Sequence, residues 1–199
     1  MHCGLASVLA VIDAANARDP ELVIVGGAKV PRALVYGQRM SAALASYDPA
    51  ASETLQIAAR AQHIERWVIP RDTYPEGRIA YLKWRKDLQH HHARRTGEIM
   101  AEAGYGAEEI ARVGSLLHKE RLKYDTDVQT LEDVICLVFL NYEAPEFIAK
   151  HEDDKVRDIL AKTARKMSAR GIEEAAKLKL DTRLLRLLGE ALALPFFSP

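Results

Sequence analysis

Residues 131–142, LEDVICLVFLNY, decide the fold class. From Val134 to Leu140 every residue is apolar, so a helix here has no polar face to offer water and is expected to be central and buried all round. Such a helix needs a shell, and the flanking sequence supplies one at helical spacing. Upstream, 107–122 sets Ile110, Val113, Leu117 and Leu122 on one side. Downstream, Pro145 restarts a helix, and 153–170 places Val156, Ile159, Leu160 and Met167 on one face before Gly171. DTRLLRLLGEALAL makes a last amphipathic helix, followed by the tail PFFSP.

Towards the N-terminus the same period recurs. Leu5, Leu9 and Ile12 form the stripe of a helix over 5–16 that ends at Asp19-Pro20. A helix over 33–47 carries Leu34, Met40 and Leu44. Another starts behind Ser52, with Glu53 in its first turn, and is expected to reach Val68 before Pro70. A long helix over 78–103 is closed by Gly104. Between the first two helices, ELVIVGGAKVP at 21–31 brackets Gly26-Gly27 with β-branched residues, the pattern of a short two-stranded ribbon. The expectation is one all-α domain, 1–199, of about eight helices packed around 131–142, with one short β-ribbon.

Composition narrows the partners. Lys plus Arg equals Asp plus Glu at 28 each, so no global field draws the chain to nucleic acid or an anionic membrane. Any anion site must be local, and extensive nucleic-acid binding is not expected. No segment approaches the roughly 18 to 20 apolar residues of a membrane span, and the N-terminus lacks the basic flank of a signal peptide. Cys3 and Cys136 have no CxxC spacing and point to a reducing, cytoplasmic setting, both as packing thiols.

The residues that a packed core does not require are gathered in 56–95, which holds four of the seven histidines and both tryptophans. His63, Arg66 and Trp67 share one helical face; Tyr81, Arg85, Leu88 and His92 share another. If those helices face each other, two imidazoles, two guanidinium groups and an indole line one cleft. Guanidinium forks suit phosphate or carboxylate, and Arg71 and Lys119 add charge nearby. Trp67 and Trp84 are equally suited to anchoring the core. Of His90, His91 and His92, consecutive positions point in different directions; His92 is assigned to the site and the other two to solvent. Glu132 and Asp133, behind an expected N-cap at Thr130, stand at the mouth of the buried helix, where a carboxylate needs a partner.

The order His92, His118, Asp133 is similar to the signature of the HD superfamily of helical metal-dependent phosphohydrolases, with Lys119 standing where that motif has its first Asp. The resemblance implies a divalent metal. The set expected here is His63, His92 and Asp133, with His118 as a further ligand, a nitrogen and oxygen set that takes zinc, manganese or iron. HIER at 63–66 and KMSAR at 166–170 resemble the ATP-binding signatures of class I aminoacyl-tRNA synthetases. Glu65 replaces the glycine of the first, and no βαβ alternation surrounds them, so synthetase activity is excluded. Over nearly the whole chain, through YGQRMS, QHIERWVIPRDTYP, YLKWR and LEDVICLVFL, the sequence resembles a bacterial and fungal family catalogued as a domain of unknown function, whose members are sometimes labelled glutamyl-tRNA synthetase.

Two functions are consistent with these residues. One is metal-dependent hydrolysis of a phosphorylated small molecule in an HD-like helical cleft. The alternative is a non-catalytic module that binds a nucleotide or small anionic metabolite through Arg66, Trp67, Arg71, Tyr81, Trp84, Arg85 and Lys119 without a cofactor. Catalytic groups are not assigned by the sequence. A homodimer through the last helix would use Leu184, Leu187, Leu188 and Phe196.

Overall fold

A computed structural model describes residues 4–193. It is a mostly helical fold with one antiparallel ribbon, as the periodicity predicts. The chain divides into two compact units, residues 1–121 and residues 122–199.

In the first unit α1 (Gly4–Asn16) buries Val8, Ile12, Ala15 and Asn16, one stripe at helical spacing. The ribbon follows: β1 (Leu22–Val25) pairs with β2 (Ala28–Pro31), Leu22 opposite Pro31 and Val25 opposite Ala28. Gly26 and Gly27 make the turn with φ of 56° and 84°, a left-handed pair that favours glycine in a two-residue hairpin. Buried Asp19 ties ribbon to helix, its carboxylate accepting from the Glu21 N–H at 2.9 Å and the Ala33 N–H at 2.8 Å. Next come α2 (Arg32–Tyr47), α3 (Glu53–Arg60), α4 (Arg78–Glu102) and α5 (Ala107–His118). Packing pairs α4 with α5, α3 with α5, and α2 with α3, while α1 touches α2, α3 and α4. Arg60 joins α3 to α1 through a two-pronged pair with Asp13, at 2.6 and 2.5 Å.

The second unit contains α6 (Thr126–Val138), a π-helical turn (Phe139–Glu143), α7 (Ala144–Ala149), α8 (Asp153–Ala164), α9 (Ala169–Ala176) and α10 (Thr182–Leu192). The helix α6 is buried on nearly every side, Glu132 and Asp133 included. Within the unit, α10 packs on α8 and α7, and α9 on α6. Leu184, Leu187 and Leu188 are buried residues of α10, whereas Phe196 lies outside the described residues, as does Cys3. Cys136 is buried. Among the described residues no helix is long and apolar enough to cross a membrane.

Four boundaries differ from the expectation, each for a tertiary reason or a local cap. The helix behind Ser52 stops at Arg60 instead of Val68, and the chain then turns through Glu65, which takes a left-handed conformation with φ of 49°. That conformation costs a non-glycine residue about 1 to 2 kcal/mol. Its N–H donates to the Asn16 side chain at 3.1 Å, which helps to offset the cost. α5 ends at His118 rather than near Leu122, since Lys119 caps it with φ of 57°. The buried helix is capped by Asp125, whose carboxylate accepts from the Asp127 and Val128 N–H groups, and Thr130 lies inside it. The segment 153–170 is broken into α8 and α9 at Ser168, the N-cap of α9.

Candidate functional site

Three pieces of the first unit converge: α2, the turn after α3, and the stretch of α4 from Tyr81 to His92. His63 stacks on Tyr36 of α2, ring centroids 3.8 Å apart and planes 16° from parallel. The close approach of α2 and α3 permits it, for a Cβ on Gly37 would stand 2.9 Å from the Arg60 carbonyl oxygen. On the other side the His92 ring lies 6.1 Å from His63. His92 is 3% exposed, and its Nδ1 meets the Ile64 carbonyl oxygen at 2.7 Å. Since α3 has already ended, the Ile64 carbonyl is not part of its ladder. Thus the left-handed turn at Glu65 and the seating of His92 are one arrangement.

The cations stand on aromatic supports. The Arg66 guanidinium lies 4.7 Å from the centroid of the Trp84 ring. Trp84 is itself buried and fixed by donating its indole N–H to the Ile69 carbonyl at 2.9 Å. Next to Trp84 on α4, Arg85 donates to the Tyr81 hydroxyl at 3.3 Å, and the Tyr81 and Trp84 rings are 5.7 Å apart. A stacked guanidinium uses its face and keeps its N–H donors in the plane. Burial first, then the charges of Arg66, His92, Arg85 and Lys119, hold the His63 pKa well below its ordinary value. Burial outweighs the Ile64 hydrogen bond and pushes His92 down to about 3, with Arg66 and Arg85 again contributing. Both imidazoles are therefore neutral near pH 7.

The remaining expected residues are placed as follows. Trp67 sits half-buried in the short 3-10 turn Arg66–Val68. Arg71 turns its Nη1 back onto its own loop, donating to the Tyr74 and Pro75 carbonyls at 2.9 and 3.0 Å. The Tyr74 hydroxyl donates to Asp87 at 2.8 Å, which fastens the loop to α4. His90 is exposed and His118 half-buried, their rings 4.8 Å apart. His91 is not solvated as expected: its side chain is only 10% exposed, 3.7 Å from Glu65, which also pairs with Arg18 at 3.1 Å and Arg95 at 3.4 Å. Burial lowers the His91 pKa.

Asp133 belongs to the second unit. Its Oδ1 accepts from the Ser168 N–H at 2.8 Å and from Gln129 Nε2 at 3.0 Å, and its Oδ2 from the Ser168 hydroxyl at 2.5 Å. Lys166 approaches buried Glu132 at 3.6 Å. These carboxylates have the partners that their position demands. Among the described residues, no group of three or more His, Cys, Asp or Glu side chains is arranged to hold a metal ion.

Sequence reasoning missed Tyr36, Asn16 and the Ile64 carbonyl. Tyr36 left a faint signal, an aromatic next to a glycine in YGQRMS; a backbone carbonyl leaves none. No curated protein and no solved structure matches this chain. Residues 6–188 match the family model described as a domain of unknown function, DUF4202, and with so much of its length matched the chain belongs to that family.

Proposed function

We propose that the first unit binds a small anionic ligand, a phosphorylated or carboxylated metabolite, at the cluster of Tyr36, His63, Arg66, Trp84, Arg85 and His92. The observation that carries this reading is the local concentration of positive charge around two neutral imidazoles. Arg66 is braced on Trp84 and Arg85 on Tyr81, and the charge of Lys119 also acts on His63. In a chain whose net charge is zero, such a grouping creates a local potential that favours an anion. Fixed guanidinium groups lose little freedom on binding, which favours a small ligand with few contacts. The test is calorimetric titration with inorganic phosphate, nucleotides and dicarboxylates, comparing the wild type with Arg85→Ala and Arg66→Ala. Each variant should weaken binding roughly tenfold to a hundredfold, the value of one charged hydrogen bond. Failure of every anion to bind the wild type overturns the reading.

A second reading is the HD-like metal-dependent phosphohydrolase. It draws support from the seating of His92, whose ring nitrogen is anchored to a carbonyl as metal-bound imidazoles usually are, with His63 alongside. The positive charges acting on His63 oppose it. Elemental analysis of untagged protein decides: close to one equivalent of zinc, manganese or iron, lost in both His63→Ala and His92→Ala, would establish it.

A further inference from the structure

α4 and α5 pack along each other, and their spacing brings together two histidines outside the cluster around His63. The helices are close at Gly97, where an added Cβ would stand 3.2 Å from the Ile110 side chain. Two turns back along α4 from Gly97 is His90; two turns on along α5 from Ile110 is His118, the last residue of that helix. Their rings meet with centroids 4.8 Å apart and planes at 58°. The backbone around His118 is held, for the Lys119 and Glu120 N–H groups donate back to the Leu116 and Ser115 carbonyls at 3.0 and 3.1 Å.

Both rings can be reached. Neither has a hydrogen bond with the described residues; His90 is exposed, and the nitrogens of half-buried His118 are not sealed from solvent. Burial first, then the charge of His90, lowers the His118 pKa, so this ring is neutral near pH 7 and keeps a lone pair for a ligand. Two fixed charges act on it in opposite senses: Glu120 attracts a cation and Lys86 repels one. A metal bonded to two imidazole nitrogens at about 2.0 to 2.1 Å, with a tetrahedral angle between them, sets the ring centroids about 5 Å apart. The observed 4.8 Å matches that spacing.

We propose that His90 and His118 form a two-histidine site for a borderline divalent transition-metal ion, of the class of zinc, nickel or copper, which clips the end of α5 to α4. Ligation by nitrogen alone does not suit magnesium or calcium, which take oxygen. No third His, Cys, Asp or Glu among the described residues completes the set, so the other positions fall to water or to a donor brought by another molecule. The site shares no ligand with the anion-binding cluster or with the HD-like reading.

The experiment is calorimetric titration of the untagged full chain with zinc, nickel and magnesium chlorides, with nitrogen-15 spectra of labelled histidines recorded in parallel. Wild type is compared with His90→Ala, His118→Ala and His63→Ala. The expected result is about one equivalent of zinc or nickel and no magnesium, a shift of the His90 and His118 ring nitrogens on adding zinc, and a rise in Tm that a chelator reverses. His90→Ala and His118→Ala should each weaken zinc at least about tenfold, since even outer partners of a metal ligand are worth that much. His63→Ala should leave zinc binding unchanged. His90 is exposed, so its variant keeps the test independent of folding. Zinc binding that survives His90→Ala but is lost in His63→Ala belongs to the HD-like reading and overturns this one. No binding by the wild type, or binding that leaves the His90 and His118 nitrogens unmoved, also overturns it.

Discussion

Each unit buries a polar centre, and the two are finished in opposite ways. In the second, Asp133 is 1% exposed and accepts from Ser168 twice and from Gln129. In the first, His92 is 3% exposed, with one nitrogen bonded to Ile64 and the other bare. Burial alone does not separate the two; satisfaction does. A buried group whose partners come from the protein joins elements together, and one that lacks a partner is a candidate for an external one. Asp133 links α6 to the start of α9, whereas His92 is anchored on one side only.

The largest expected effect is on the satisfied centre. Asp133→Ala strands the Ser168 and Gln129 donors and should cost about 3 kcal/mol or more in denaturant unfolding, since charged hydrogen bonds contribute about 1.5 to 3 kcal/mol each. A loss below about 1 kcal/mol would mean that the knot is ornamental and the contrast unfounded.

Next is the pH dependence of the unsatisfied centre. His92 is held to about 3 in the folded protein against 6.5 when unfolded, so between those values the unfolded chain binds a proton that the folded one refuses. Stability is therefore complete above pH 6.5 and is lost as pH falls. The slope for one such group is about 1.4 kcal/mol per pH unit, hence about 2 kcal/mol between pH 6.5 and 5. His63, shifted the same way, steepens it. Unfolding curves at pH 7.5, 6 and 5 measure the slope, and His92→Phe should make it shallower. A flat profile in the wild type would place a protonated, solvated imidazole at this position.

Gly171→Ala probes the same knot from its other side. The added Cβ would lie 2.6 Å from Asp133 Oδ1 and must push the carboxylate out of place. Overpacking of this kind costs about 1 to 3 kcal/mol, readable as a lowered Tm. Asp133→Ala opens space there, so the double variant should lose less than the sum of the two. Strict additivity would show that the clash is relieved elsewhere.

The smallest stability effect is expected for Arg85→Ala. Arg85 donates to the Tyr81 hydroxyl at 3.3 Å, and the variant should alter unfolding by less than about 0.5 kcal/mol while reducing any stabilisation by phosphate. A large loss of stability with phosphate binding unchanged would turn Arg85 into a structural residue and dissolve the contrast from the other direction.

Much of the fold was legible because it depends on local chemistry. Gly26-Gly27 announced the hairpin turn, Gly104 the end of α4, Ser52 the start of α3, and the apolar run from Val134 a buried helix. The candidate site was legible in composition but not in geometry. His63 and Arg66 were read onto one helical face, yet they lie beyond the end of α3, and no breaker in QHIER announces it. What favours the turn comes from Asn16, 49 positions from Glu65, and from His92, 28 positions from Ile64. The break between α8 and α9 is similar, for Ser168 is engaged by Asp133 from 35 positions away.

The sequence by itself determined the helical class, the ribbon, the absence of a net charge and the clustering of His, Arg and Trp in 56–95, because period, turn residues and composition are local or additive properties. Only the tertiary structure decided which buried polar atoms are satisfied. Hydrogen bonding depends on the position of a single partner atom to within a few tenths of an ångström, and neither the Ile64 carbonyl facing His92 nor the bare nitrogen opposite it has any trace in the order of residues.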